Sequence, residues 1–447
     1  MKKQIKQIIL FLFLSVVGLS LKAQEEENTG FSLDQATQYA MQNSYVLFNT
    51  KQDVTIAQKQ VWETITTGLP QVSGTANYNA FLNLPVSLIP GEFFGGDPGT
   101  YIPVKFGQDY NADFGFSVSQ QIFDGSWIVG VSSAELYLNL AKQANEKTEI
   151  DIRSAVAQAY YAVLISQRYR EVMLESLENS TRLYEETKVY YENGFREQQD
   201  VDQLRILQKN AENEVLRSER ELTIAKTVLK YTMGYDLSQE IELTDDLDVF
   251  VSPLVQELNS IDLDLINHID YRLAQSNFEV SDKLYRLEKV AYLPKLNAFY
   301  SYSRTSYGNK ANLFKEEWFP SSLIGVQASI PIFNSGNKRA KVQRARIELD
   351  KAENDMRYAE VTLQKDYLMA SADMETAREQ FLNTRENRDL AKSILDKTQI
   401  KFNNGMVSSA ELSQQETQYI TTSQQLVTST LSLLQADLNL KKAAGAL

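Results

Sequence analysis

The chain has 447 residues, a formal net charge of −13, one histidine and no cysteine. Without cysteine there is neither a disulfide framework nor a thiolate metal site, and the acidic excess excludes nucleic acid, whose phosphates need basic patches. No phosphate-binding loop, dinucleotide fingerprint or zinc-protease motif occurs along it, so no enzyme, cofactor or metal is expected.

The chain opens with Lys2, Lys3 and Lys6, an apolar run from Ile8 to Leu21, and Ala23. This is the layout of a secretory signal peptide over residues 1–23, with the mature protein starting at Gln24. The run is short of the ~20 apolar residues a membrane-spanning helix needs. With no cysteine at the cut, a lipid anchor is not expected. Loss of the leader lysines makes the mature chain more acidic still.

Residues 24–235 read as a first repeat. It begins with an amphipathic stretch, FSLDQATQYAMQNSY at 31–45, and reaches Leu69-Pro70. Two segments of period two follow, about 71–84 and 111–123. In the first, Val72, Ala76, Tyr78, Ala80, Leu82 and Leu84 alternate with Ser73, Thr75, Asn77, Asn79 and Asn83. In the second, Ala112, Phe114, Phe116, Val118 and Ile122 alternate with Asn111, Asp113, Gly115, Ser117 and Ser119. Alternation predicts strands with one apolar and one polar face. About ten residues suits a transmembrane β-strand. The stretch between them, 82–107, is rich in Gly, Pro and aromatics and is expected to be a loop.

From Asp124 to Asn193 there is no proline, and glycine occurs only at Gly125 and Gly130. A helix over this run would be on the order of 100 Å long. After Asn193-Gly194, the residues Val201, Leu204, Gln208, Ala211, Val215, Ser218, Leu222, Ala225 and Leu229 step by alternating threes and fours, a heptad seam.

Residues 236–265 are acidic, lack a sustained helical period and read as a linker. His268 follows as a polar residue of an ordinary helix. Residues 266–447 then read as a second repeat, with strands at about 296–304 and 323–333 separated by a loop at 303–322. Trp127 and Trp318 stand just beyond strand ends, where interfacial aromatic girdles belong. Shifting the first seam by 211 positions gives Leu412, Gln415, Tyr419, Thr422, Leu426, Ser429, Leu433, Ala436 and Leu440. The same shift carries Asn193-Gly194 onto Asn404-Gly405 and Asp200 onto Glu411. The pattern is an internal duplication, helix, Leu-Pro, strand, loop, strand, long helix, tight turn, long helix. Gly194 and Gly405 are expected to end their helices in a left-handed conformation, and Ser408 and Glu411 have capping-box spacing.

Four strands cannot close a barrel, and an open edge in lipid leaves backbone groups unpaired. Strands that span a membrane would therefore require several copies of the chain. Three alternatives stay open on the residues alone: a sheet with one face on a soluble core, a secreted coiled-coil scaffold or adhesin without a pore, and an enzyme built on acids such as Asp262, Asp264 and Asp270.

Taken together, the FSLDQATQYAMQNSY opening, the Leu-Pro elements at 69–70 and 293–294 and the two Asn-Gly turns resemble the TolC-like outer-membrane efflux protein family. The resemblance implies a mixed α and β membrane protein. Its fold would be a trimeric twelve-stranded outer-membrane β-barrel, four strands per chain, continued by a long periplasmic α-helical coiled-coil tunnel. It implies the passive exit duct of a tripartite efflux pump or type I secretion system. The partners would be two further copies of the chain, outer-membrane lipid, an inner-membrane transporter and a periplasmic membrane-fusion (adaptor) protein. The adaptor would dock at Asn193, Gly194, Phe195, Asn404, Gly405 and Met406. A periplasmic gate would involve Asp200, Phe402, Val407, Glu411, Leu412 and Gln414. Phe402 stands where the family pattern has a tyrosine, Val407 where it can have arginine, and Gln414 where it has a second acid. The gate is therefore expected to rest more on apolar contacts among Phe402, Val407 and Leu412 than on salt bridges. Residues 236–265 would form a belt around the middle of the tunnel.

Overall fold

The computed structural model describes residues 30–256 and 261–447; the leader expected over 1–23 lies outside the described residues. In chain order the elements are β1 (Gly30–Phe31), α1 (Leu33–Asn43), α2 (Tyr45–Thr66), β2 (Gln71–Ala80), β3 (Val86–Pro90), β4 (Tyr101–Lys105), β5 (Tyr110–Phe123), α3 (Gly125–Glu192) and α4 (Gln198–Met233). There follow β6 (Glu242–Leu243), α5 (Leu247–Gln256), α6 (Ile269–Val290), β7 (Lys295–Gly308), β8 (Trp318–Ser329), α7 (Asn337–Asn403) and α8 (Ser409–Ala444). The chain divides into two compact units.

One unit, residues 50–145 and 269–361, holds an antiparallel sheet in the order β2-β5-β7-β8. Its register joins residues of equal parity, for example Ser73 to Ser117 to Ser301. Side chains alternate across a strand, so parity alone decides the face. Odd positions form a polar ladder. The hydroxyls of Ser73 and Ser117 lie 2.8 Å apart, Asn77 Nδ2 donates to Asp113 Oδ2 at 3.0 Å, and Asn79 Nδ2 donates to Asn111 Oδ1 at 2.9 Å. Even positions form an apolar face. The Phe116 ring lies 5.9 Å from Tyr302 and 6.0 Å from Tyr300, and Phe114 lies 5.1 Å from Trp318. Pairs between neighbouring strands, such as Phe116 with Tyr302, contribute roughly 0.2–1 kcal/mol each. That face is left open: Val72 is 70% exposed, Val326 71% and Ile324 80%. Gly115 is dictated by close approach, because a Cβ there would stand 2.4 Å from the carbonyl oxygen of Tyr302.

Several strand boundaries differ from the sequence expectation. β2 stops at Ala80 instead of about 84, and beyond it the expected loop contains a second hairpin, β3 paired with β4. β7 continues to Gly308 and β8 begins at Trp318, so the loop expected over 303–322 shrinks to 309–317. Arg304 falls at an even position, on the apolar face, and its Nε donates to the Tyr302 hydroxyl at 3.0 Å. β8 ends at Ser329 instead of 333, just before Pro331, which has no N–H to donate. Trp318 thus opens a strand. Trp127 lies in the first turn of α3, where its indole N–H donates to the Thr64 carbonyl at 3.1 Å and its ring covers Gly68.

The other unit comprises the described residues of 30–49, 146–268 and 362–447 and is mainly helical. Its buried residues include the positions of the heptad seams: Val201, Leu204, Ala211, Val215, Ser218 and Leu229 on α4, and Leu412, Tyr419, Thr422, Ser429, Leu433, Ala436 and Leu440 on α8. Tyr160, fully buried on α3, donates its hydroxyl to the Phe31 carbonyl at 2.8 Å and to Asp245 Oδ2 at 3.0 Å. Asp245 also accepts from the Leu33 N–H, and β6 pairs in parallel with β1. The acidic linker is thereby tied to the start of the described chain.

The linker also holds a helix that the sequence expectation lacked. α5 has Pro253 inside it, which obscures any helical period. One local bond at its start and two tertiary contacts hold it instead. Asp246 Oδ1 accepts from the Asp248 N–H, Phe250 packs edge-on to Tyr161 with ring centres 5.2 Å apart, and Arg378 donates to the Val255 carbonyl at 2.8 Å.

Glu416 on α8 is only 3% exposed and accepts a hydrogen bond from the Ser176 hydroxyl. Burial pushes its carboxyl above the usual range. The Ser176 bond and the charge of Lys392 offset part of that, while Glu175 and Asp396 add to it. Lys392 itself is shared among Glu175 at 3.1 Å, Asp396 at 3.7 Å and the ring of Tyr419.

Two outcomes are expected. If the apolar face meets hydrocarbon, Phe116→Arg should cost about 2–4 kcal/mol near the midplane and block assembly, whereas Ser117→Arg on the polar face should be tolerated; equal assembly of the two, read by heat-modifiable gel mobility, would refute the face assignment. For Glu416, a carboxyl raised in the fold stabilises when protonated, a contribution present below the unfolded glutamate range and lost as pH rises through the raised value. Glu416→Gln should therefore raise the melting midpoint at neutral pH by a few degrees, with the gain shrinking below about pH 4; a pH-independent gain would assign the effect to packing alone.

Candidate docking tips and gate

The two echoing Asn-Gly turns are built alike. At the first, the Gly194 N–H donates to the Tyr191 carbonyl at 2.9 Å and the Phe195 N–H to the Tyr190 carbonyl at 2.8 Å. At the second, Gly405 donates to Phe402 and Met406 to Lys401, both at 2.9 Å. This reciprocal pattern satisfies the last carbonyls of a helix and needs a left-handed residue. Gly194 has φ 80° and Gly405 φ 71°. The asparagines satisfy a further carbonyl each. Asn193 Nδ2 donates to the Val189 carbonyl at 2.7 Å, and Asn404 Nδ2 to the Ile400 carbonyl at 2.9 Å. The recurrence of Asn-Gly therefore has a direct cause in helix termination. The residues that follow, Phe195 and Met406, are 77% and 71% exposed.

The returning helices begin differently. Ser408 caps α8 by accepting from the Glu411 N–H at 3.3 Å, one half of a capping box. The N-cap of α4 is Glu197, whose side chain makes no capping bond. Asp200 lies in that helix's first turn, where the macrodipole favours an anion, and accepts from the Ser409 hydroxyl at 2.6 Å. Phe402 has no hydroxyl to offer Asp200, and Ser409 supplies one.

Arg196 makes the second link between the hairpins. Its Nη2 donates to the Phe402 carbonyl at 2.5 Å, and its guanidinium carbon lies 4.3 Å from the centre of the Phe402 ring. Neither Arg196 nor Ser409 was singled out in the sequence. A signal was present for Arg196, since the shift that superposes the two halves places it on Val407, a break in an otherwise matched pair of tips.

Phe402, Val407 and Leu412 do come together, packed with Leu183, Leu204, Leu207, Leu395 and Tyr419. Phe402 is 2% exposed and Leu412 fully buried, so both are interior to the hairpin pack of the chain itself. Val407 is half-buried, while Glu411 and Gln414 are exposed. Among the described residues, no cluster of acids and histidine could hold a metal ion, and no helix is long and apolar enough to cross a membrane.

The outer membrane efflux protein family pattern matches residues 36–235 and 261–446. The cobalt-zinc-cadmium resistance protein CzcC of Cupriavidus metallidurans is 24% identical over 250 residues, 56% of this chain and 56% of its own. The outer membrane protein TolC of Vibrio cholerae is 24% identical over 256 residues, 56% of this chain and 58% of its own. The matched part thus spans little more than half the length of either relative. In structure, the open state of the Neisseria gonorrhoeae MtrE outer membrane channel superposes with a TM-score of 0.72 at 16% identity, covering 92% of this chain and 88% of that one. With that fold and a family match over most of its length, the chain belongs to the outer membrane efflux protein family and is an outer-membrane protein.

Proposed function

We propose that three copies of this chain form the passive exit duct of a tripartite efflux pump or type I secretion system. The observation that carries this reading is the four-stranded sheet. One face is apolar and exposed, the other is a polar ladder, and β2 and β8 end it with unpaired edges among the described residues. In hydrocarbon each unpaired backbone group costs several kcal/mol, and transmembrane barrels need about eight strands or more. One chain is too few. Three copies would give twelve strands, with the asparagine and serine ladder facing a water-filled lumen. The element order helix, strand, strand, long helix, long helix occurs twice, with α3 and α7 of 68 and 67 residues and α4 and α8 of 36 each. This supports an origin by duplication and a tunnel of helices in the periplasm.

On this reading an inner-membrane transporter supplies the energy. A periplasmic adaptor docks at the tips, where Phe195 and Met406 offer exposed apolar side chains beside Asn193, Gly194, Asn404 and Gly405. Glu411, exposed one turn inside the tip, would repeat three times around the mouth and attract cations. No catalytic role is assigned. The reading of a secreted scaffold without a pore is disfavoured by the open apolar sheet face, which a soluble protein would cover.

Purified protein added to planar bilayers should give discrete conductance steps with cation preference, and Glu411→Gln should lower that preference and the block by multivalent cations while leaving stability little changed, since glutamine also suits the third position of a cap. Absence of conductance would overturn the duct; unchanged selectivity would leave Glu411 as a cap alone. For docking, Gly194→Val and Gly405→Val force a branched residue into positive φ at about 1–2 kcal/mol. Export from cells should fall while the assembled protein still reaches the outer membrane; full export by both variants would refute the tip assignment.

A further inference from the structure

The linker helix α5 does not pack flush on its unit. Between it and α3, α7 and α8 lies a cavity of about 430 Å³, within the range of small-molecule sites. Its apolar wall includes Val172, Val251, Phe381 and Leu426. Its charged lining is one-sided: Arg168, Arg385 and Arg388 against the single carboxylate of Asp248. Among the described residues, Arg168 and Arg388 pair within their own helices, with Glu171 and with Asp389, each at 3.0 Å.

Ser423 supplies an independent pointer. It lines the cavity and is 95% buried, at 5% exposure, yet its hydroxyl has no hydrogen-bond partner among the described residues. Hydroxyl residues inside helices ordinarily return the bond to the carbonyl four residues earlier. Its neighbours do so: Thr422 bonds the Gln418 carbonyl at 3.0 Å and Thr430 the Leu426 carbonyl at 2.7 Å. The Nε of Arg388 is likewise buried and without a hydrogen bond, its contact with Asp389 being ionic but misaligned. A buried donor left unsatisfied costs about 1–3 kcal/mol. Here both donors belong to the lining of one cavity.

We infer that this cavity binds a small anionic amphiphile, its sulfonate or carboxylate head held by Arg385, Arg388 and the Ser423 hydroxyl and its apolar body against Val251, Phe381 and Leu426. Acidic oxygens accept from all three donors, and guanidinium pairs with such oxygens in two-pronged fashion. A cation would meet three like charges. The site lies beside the linker helix and apart from the tip residues, so it stands whether or not the duct reading does. A bound molecule would brace α5 against the long helices.

The test is calorimetric titration of the assembled protein in lipid nanodiscs with 2-naphthalenesulfonate, corrected for empty nanodiscs, beside the neutral twin 2-naphthalenemethanol. The sulfonate should bind more tightly than the alcohol. Arg385→Gln/Arg388→Gln should weaken the sulfonate at least tenfold without changing the alcohol, and Ser423→Ala should weaken it several-fold. If the double variant fails to assemble, Ser423→Ala decides. No saturable sulfonate binding, equal binding of the two probes, or full affinity in the variants would overturn the inference.

Discussion

The backbone hydrogen bonds at the two edges of the four-stranded sheet set the terms for the rest of the molecule. Among the described residues, β2 and β8 each leave one side of their ladder unpaired. Water can satisfy such groups and hydrocarbon cannot. The apolar face removes the option of staying in water, because rings and aliphatic chains cover it from Val72 on β2 to Val326 on β8. A chain that carries that face into a membrane has to bring its edges to other copies. Barrel closure and oligomer formation are then a single requirement.

The helical unit solves a different problem, how to keep very long helices in register. Seams at alternating three- and four-residue steps bury α4 and α8, with serine and threonine at several seam positions bonding back into their own helices. The hairpin tips add specific links. Arg196 to Phe402 and Ser409 to Asp200 join one tip to the other, and they use residues in which the two halves differ. Symmetry of the halves builds the hairpins, and departure from symmetry ties them together. Phe195, Met406, Glu411 and Gln414 stay exposed.

Much of this was legible in the residues. Parity assigned the two faces of the sheet, because period two is a geometric property of any strand. The seams and the Asn-Gly turns were legible for the same reason: helix packing and helix termination are local and demand particular side chains. What escaped the sequence depends on distant contacts. Helix α5 is held by Phe250 and Val255 reaching partners outside it, against the signal of Pro253. The strand around Arg304 survives a charge that a neighbouring hydroxyl accepts. Phe402, Val407 and Leu412 pack together as their apolar character led one to expect, but the hold of Arg196 on Phe402 was not legible. Position in the chain located the two turns, and the links between them through Arg196 and Ser409 depend on contacts between distant residues.

On the proposed reading, the sheet is a fraction of a barrel completed by other copies of the chain. Native mass spectrometry of the full-length protein released from mild detergent tests it most directly. The account predicts a trimer that persists at low protein concentration and that precipitates when detergent is withdrawn. A monomer as the sole species, or a protein that stays soluble and single without detergent, would contradict it.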